Sequence, residues 1–129
     1  MSGSFEPIAI VGRACVLPGA LSPEALFDAV RSARVMIDEA PEGSWGLDSR
    51  RLLHEQSPGE SREYVVSNRG GYVTGFNELF DESYFADRIK DLGRLDDLTR
   101  WLLHCSRVAL SEAGAESVPP GSGLIVGNL

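Results

Sequence analysis

Apolar residues along this chain gather into short runs and one long periodic stretch, and those decide its elements. Ile8, Ala9, Ile10 and Val11 follow one another without polar alternation, and three of the four are β-branched. Such a run predicts a strand covered on both faces, ended by Gly12. Pro18 and Gly19 then mark a turn. Ser22 can accept from the open N–H groups of a first helical turn, and Pro23 suits the first helical position, where its missing donor costs nothing. A helix is predicted from there to about Ala33, with Ala25, Leu26, Ala29 and Val30 on its apolar face and Glu24, Asp28 and Arg31 elsewhere.

The strongest period comes later. Leu98, Trp101, Leu102, Cys105, Val108 and Ala109 fall at i, i+3, i+4, i+7, i+10 and i+11, while Asp97, Arg100, His104, Arg107 and Ser111 lie largely off that line. This predicts a helix over 97–113, with Asp96 as N-cap, Asp97 set favourably against the helix dipole and Gly114 as the C′ residue. Between the two helices, residues 41–67 are polar and rich in breakers. They read as a loop-rich surface excursion with a turn of helix near 49–54, anchored by Trp45. Gly70 and Gly71 precede a short strand candidate at 72–76, and a short helix is predicted from about Asp81 with Tyr84, Phe85 and Ile89 as its buried side. After residues 118–123 a second apolar run, at 124–129, predicts another strand. Strands near both ends with helices between them point to an α/β sheet, and residues 1–5 read as a flexible N-terminus.

Bulk properties narrow the function. A chain of 129 residues with 43% hydrophobic residues is at most one domain and can pack a core. A formal charge of −7, with eleven Arg and the single Lys90 scattered along the chain, disfavours DNA or RNA as a partner. No apolar run reaches the roughly 18 to 20 residues that a bilayer span requires, and the first residues lack the basic start and apolar core of a signal peptide. The expectation is a cytoplasmic protein with no membrane partner. Cys15 and Cys105 could pair, but in that compartment they are expected to be reduced and to pack as small hydrophobes. With only His54 and His104 besides, and no metal-ligand spacing, no metal site is expected.

Could Cys105, flanked by His104 and Ser106, be a nucleophile? It lies on the apolar stripe of a helix, where adjacent residues point about 100° apart, so His104 is badly placed to act as its base. Packing is the better reading for Cys105 and Cys15 alike. Asp96 and Arg100, at i and i+4, read as a helix-capping pair, and Asp38, Glu39 and Glu42 as a solvated face. The loop at 12–19 lacks the glycine patterns that cradle phosphates, which disfavours a small nucleotide-binding α/β protein.

The motifs in this order resemble the opening of β-ketoacyl synthase domains of type I polyketide synthases and polyunsaturated fatty acid synthases. Glu6 to Gly12, Ala14 with Cys15, and Pro18 with Gly19 match the family's first strand and turn. Pro41, Trp45 and Asp48 keep the family's Pro-x-x-x-Trp-x-x-Asp spacing. Gly70, Gly71 and Tyr72, then Phe80, Asp81, Tyr84 and Phe85, resemble its Gly-Gly-Phe and Phe-Asp-x-x-Phe-Phe segments. Leu95, Asp96 and Arg100, then Ser111, Glu112, Ala113 and Gly114, then Gly123 to Gly127, follow its Leu-Asp-Pro-Gln-Gln-Arg helix, its Glu-Asp-Ala-Gly ending and its next strand. Asp97, Leu98 and Thr99 depart from Pro-Gln-Gln, which keeps a good helix start but lacks the family's two glutamine side chains. The stretch at 100–114 is more similar to divergent iterative and polyunsaturated-fatty-acid-type ketosynthases.

The resemblance implies the N-terminal portion of a thiolase-like fold layered α/β/α/β/α, filling residues 6–129. It implies a parent enzyme that performs decarboxylative Claisen condensation, works as a homodimer and takes substrates from the phosphopantetheine of an acyl carrier protein, with no metal or nucleotide of its own. The family's cysteine nucleophile and two histidines lie beyond the matched segment, so no catalytic, cofactor-binding or metal-binding residue is expected in this chain. The competing expectation is a stand-alone scaffold or interaction subunit that complements a partner chain. Either way, a final central strand ending at residue 129 would leave apolar surface uncovered, so residues 1–129 alone are expected to be poorly folded or rescued by a partner.

Overall fold

The computed structural model describes residues 6–46, 53, 65, 67–115 and 117–127. Their elements are α1 (Pro23–Arg31), β1 (Asp38–Glu39), β2 (Arg69–Gly70), α2 (Phe76–Leu79), α3 (Glu82–Ala86), a 3-10 turn at Leu92–Arg94 and α4 (Asp97–Glu112). The chain divides into two compact units, one made of Val16–Leu79 and the other of Met1–Cys15 with Phe80–Leu129.

In the Val16–Leu79 unit, α1 starts as its sequence dictates. The Ser22 hydroxyl accepts from the Ala25 amide at 3.1 Å, and Pro23 occupies the first turn. The helix ends in a two-bond closure in which the Ala33 amide donates to Val30 O at 3.1 Å and the Arg34 amide to Ala29 O at 2.9 Å. That geometry demands a left-handed residue, and Ala33 supplies it at φ 52°. Ala29 is buried and Ala25 and Leu26 are half-buried, but Val30 is 69% exposed, so the covered face is narrower than the spacing predicts. Beyond α1, β1 pairs antiparallel with β2 in the register Asp38 with Gly70 and Glu39 with Arg69. The expected strand at 72–76 is not formed. The ladder stops at Gly70, and Gly75, at φ +75°, turns the chain directly into α2, where Phe76 is buried. The reading of 41–67 as an excursion falls mostly outside the described residues, as do the helical turn near 49–54, except for Leu53, and the N-terminal residues 1–5. Within it Trp45 is half-buried, and Leu53 forms an isolated parallel bridge with Val65.

The second unit is organised on α4. The Asp96 carboxylate accepts from the Thr99 amide at 2.8 Å and from the Thr99 hydroxyl at 2.9 Å, capping the helix where the sequence places its start. Its end is closed by the Gly114 amide on Ser111 O and the Ala115 amide on Leu110 O, with Gly114 left-handed at φ +70°. On α3, begun by the Asp81 side chain accepting from the Tyr84 amide, Phe85 is buried and Ile89 beyond the helix half-buried, as the pattern predicts, while Tyr84 is on the exposed side.

The terminal runs differ from expectation. Residues 8–11 and 124–127 carry no strand pairing, and their side chains are open, with Ile8 85% and Ile125 99% exposed. A strand covered on both faces needs ladder partners as well as cover, and neither run has a partner strand among the described residues. What the structure shows is a mixed helix-and-strand chain whose described sheet has two strands.

Candidate functional site

Two surfaces of α4 carry the chemistry of the second unit. The first is the side with Arg100, His104 and Arg107, spaced i, i+4 and i+7. The pattern puts these residues on the polar side, yet His104 is the buried residue of the helix and Leu98, on the apolar line, is 41% exposed. The reason is the aromatic group at 80–85. Phe80 and Phe85 stack with centroids 5.3 Å apart, and Tyr84 meets Phe85 edge-on at 4.9 Å. The Arg100 guanidinium carbon lies 4.8 Å from the Phe80 centroid and that of Arg107 4.2 Å from Tyr84, whose ring also takes Arg88 at 4.7 Å. Cation–π attraction thus lets a charged helix face cover apolar rings. Arg107 is held by Asp81 at 3.0 Å, and Arg100 by Glu82 at 3.5 Å and Asp97 at 3.6 Å.

Asp96 and Arg100 are therefore not spent on each other as a capping pair. The aspartate caps Thr99 while the arginine reaches across to α3. The signal was present in the sequence as cations at i, i+4 and i+7 beside an aromatic-rich segment, and it was masked because charge reads as solvent-facing.

The second surface holds Cys105, Ser106, Ala109, Leu110 and Ala113. With Val11, Gly12 and Ala14 on one side and Val118 and Leu124 on another, it forms a groove of about 710 Å³. The N-terminal segment is seated on it by a close approach of backbones. A β-carbon added at Gly12 would collide with the Ala109 carbonyl oxygen and stand 2.8 Å from its carbon. Next along, the Arg13 amide donates to the Glu112 carboxylate, and the Arg13 guanidinium donates to the other oxygen at 2.9 Å. These contacts, led by the side-chain hydrogen bond, hold Glu112 below its ordinary value of 4.5.

The setting of Cys105 works against thiolate formation. Burial first, and the neighbouring Cys15 second, push the Cys105 thiol up, away from the thiolate that attacks or ligates. Burial pushes His104 down from 6.5, with Arg107 adding to the effect, so the imidazole is held neutral. Cys15 is half-buried. His54 lies outside the described residues. Asp38, Glu39 and Glu42 are exposed, the first two in β1. Among the described residues no three His, Cys, Asp or Glu side chains are placed to share a metal ion, and no helix is long and apolar enough to cross a membrane.

Comparison with known proteins places this sequence in a family. Residues 5–128 match the family described as the β-ketoacyl synthase N-terminal domain. A highly reducing polyketide synthase of Pyrenophora dematioidea is 34% identical over 114 residues, covering 85% of this chain and 4% of that protein. Mycoketide-CoA synthase of Mycobacterium tuberculosis is 36% identical over 135 residues, covering 96% and 3%. A highly reducing polyketide synthase of Aspergillus sclerotiorum is 34% identical over 118 residues, covering 88% and 4%. The chain thus spans a few per cent of the length of the curated relatives it matches. No solved structure matches. A family match over residues 5–128, nearly the whole chain, makes this chain a member of the β-ketoacyl synthase family.

Proposed function

We propose that this chain is the N-terminal structural portion of a β-ketoacyl synthase that performs decarboxylative Claisen condensation of acyl and malonyl units on acyl carrier protein, in polyketide or fatty acid biosynthesis. The family match over residues 5–128 carries this reading. In that role residues 1–129 contribute no catalytic side chain. The thiolate that takes the acyl chain, and the histidines that assist loss of carbon dioxide from malonyl, are supplied by the remainder of the ketosynthase domain. The raised Cys105 thiol supports this division of labour, because a nucleophilic cysteine needs a lowered value. The partners are the rest of the domain, a second copy and a carrier protein whose phosphopantetheine bears the substrate. The segment needs no metal or nucleotide, and its setting is the cytoplasm.

A second reading, a non-catalytic scaffold subunit that complements another chain, is favoured by the exposed apolar runs at 8–11 and 124–126. One preparation separates the two: the polypeptide carrying this chain, isolated from its source, weighed intact and assayed for β-ketoacyl product and carbon dioxide from malonyl-loaded carrier protein. The expected result is a mass far above 14.0 kDa, with condensation retained in the Cys15→Ser, Cys105→Ser double variant. A mass near 14.0 kDa without condensation would reject the first reading in favour of the scaffold. Loss of condensation in a double variant that stays folded would overturn the non-catalytic assignment.

A further inference from the structure

Cys15 and Cys105 stand about 90 residues apart in sequence, yet the seating of the N-terminal segment on α4 brings their surroundings together. Gly12 rests its backbone on the Ala109 carbonyl, and Glu112 takes the Arg13 amide and guanidinium. Three residues on from Gly12 is Cys15. One turn back along the helix from Ala109, on the same side, is Cys105. Ala14, next to Cys15, and Cys105 both line the groove. Both cysteines are half-buried, so neither is sealed from a small oxidant. Cys15 also adds to the upward push that burial exerts on the Cys105 thiol.

We propose that Cys15 and Cys105 form an intrachain disulfide when a peroxide enters the groove, a redox latch that fastens the N-terminal segment to α4. In the first step one thiolate attacks a peroxide oxygen. The S–O bond forms, the O–O bond breaks, and a sulfenic acid and hydroxide result. In the second, the other thiolate attacks the sulfenic sulfur, forming the S–S bond and expelling hydroxide. The two thiol protons convert both hydroxides to water, the two sulfurs give up two electrons, and the peroxide takes them. Because the attacking species is the thiolate and Cys105 is held protonated, the latch closes faster as pH rises.

The test oxidises the intact polypeptide carrying this chain with hydrogen peroxide, blocks remaining thiols and digests it with trypsin without reduction. Residues 14–31 and 101–107 are the two cysteine-bearing peptides. They are expected joined, lighter than their sum by two hydrogens, at a yield at least about tenfold above that of the same protein oxidised in urea, because the fold raises the effective concentration of one thiol at the other. The yield should rise from neutral to alkaline pH. A mixture of light and nitrogen-15-labelled copies should give joined peptides of matched label only. Equal yields in urea, mixed-label pairs, or the two peptides recovered singly as sulfinic acids would each overturn the latch.

Discussion

At the residue scale, single backbone demands have outsized effects. Gly12 is glycine because its backbone lies against the Ala109 carbonyl, where any β-carbon collides with main chain that cannot swing away. Gly12→Ala should therefore lift the N-terminal segment off α4 at a cost of about 1–3 kcal/mol, the usual penalty for overpacking. The readout is the Arg13 amide, which donates to Glu112 and should exchange its hydrogen at least several-fold faster in the variant. Unchanged exchange would mean that the segment is held by the ion pair alone. Ala33 is the opposite case, a residue with a β-carbon in a left-handed conformation that closes α1. Ala33→Gly should stabilise that end by about 1 kcal/mol, since it relieves a strain glycine does not feel, and slow exchange of the Arg34 amide by about fivefold. The glycine at 12 was legible as the end of an apolar run, but its reason was not, because the helix it meets lies about 97 residues further on. Nothing in the sequence around Ala33 announces a left-handed turn, since the residue favoured there is glycine.

At the element scale, α4 was the most legible part of the chain. Asp96, the 3.6-residue period and Gly114 all agree, and the observed helix Asp97–Glu112 lies within a residue of the expectation. What periodicity could not say was which face would be covered, because Arg100, His104 and Arg107 count as polar until an aromatic partner is found. β1 and β2 were invisible for a related reason. Two-residue strands built of Asp, Glu, Arg and Gly have no alternation to detect, and they exist through their pairing. The α4 neighbourhood carries four groups whose folded values are depressed: His104 by burial, Asp96 by the Thr99 amide, Asp81 chiefly by Ser83, and Glu112 chiefly by the Arg13 side chain. For every one the unfolded chain binds protons more readily, so each contributes stability above its unfolded value that is lost as pH falls through its folded value. The expected profile has two steps, one beginning below 6.5 as His104 charges and one below about 4.5 as the carboxylates follow. Helicity followed against pH should show both, and His104→Gln should erase only the first. A variant that keeps the upper step would assign it to another group.

At the scale of the whole molecule, the two terminal apolar runs decide behaviour. Val11 and Leu124 line one groove, and their neighbours along the chain, Ile8, Ile10, Ile125 and Val126, are exposed, Ile125 at 99%. Folded monomers rarely leave a contiguous apolar patch beyond a few hundred Å² in water unless something binds it. The sequence marked both runs as strand material, and the residues are indeed those a buried strand would use. Their exposure shows that composition specifies what a segment would prefer to bury, while pairing depends on neighbours. Residues 1–129 expressed alone should bind ANS at neutral pH and melt over a broad range, as chains with uncovered core surface do. Replacing Ile10 and Ile125 together by lysine should lower ANS fluorescence while leaving the helical signal in place, because neither side chain is packed. A monomer with a sharp cooperative melt and no ANS binding would show that the runs find cover within the chain itself. In that event the groove is closed in solution, and the scaffold reading loses the observation that favours it.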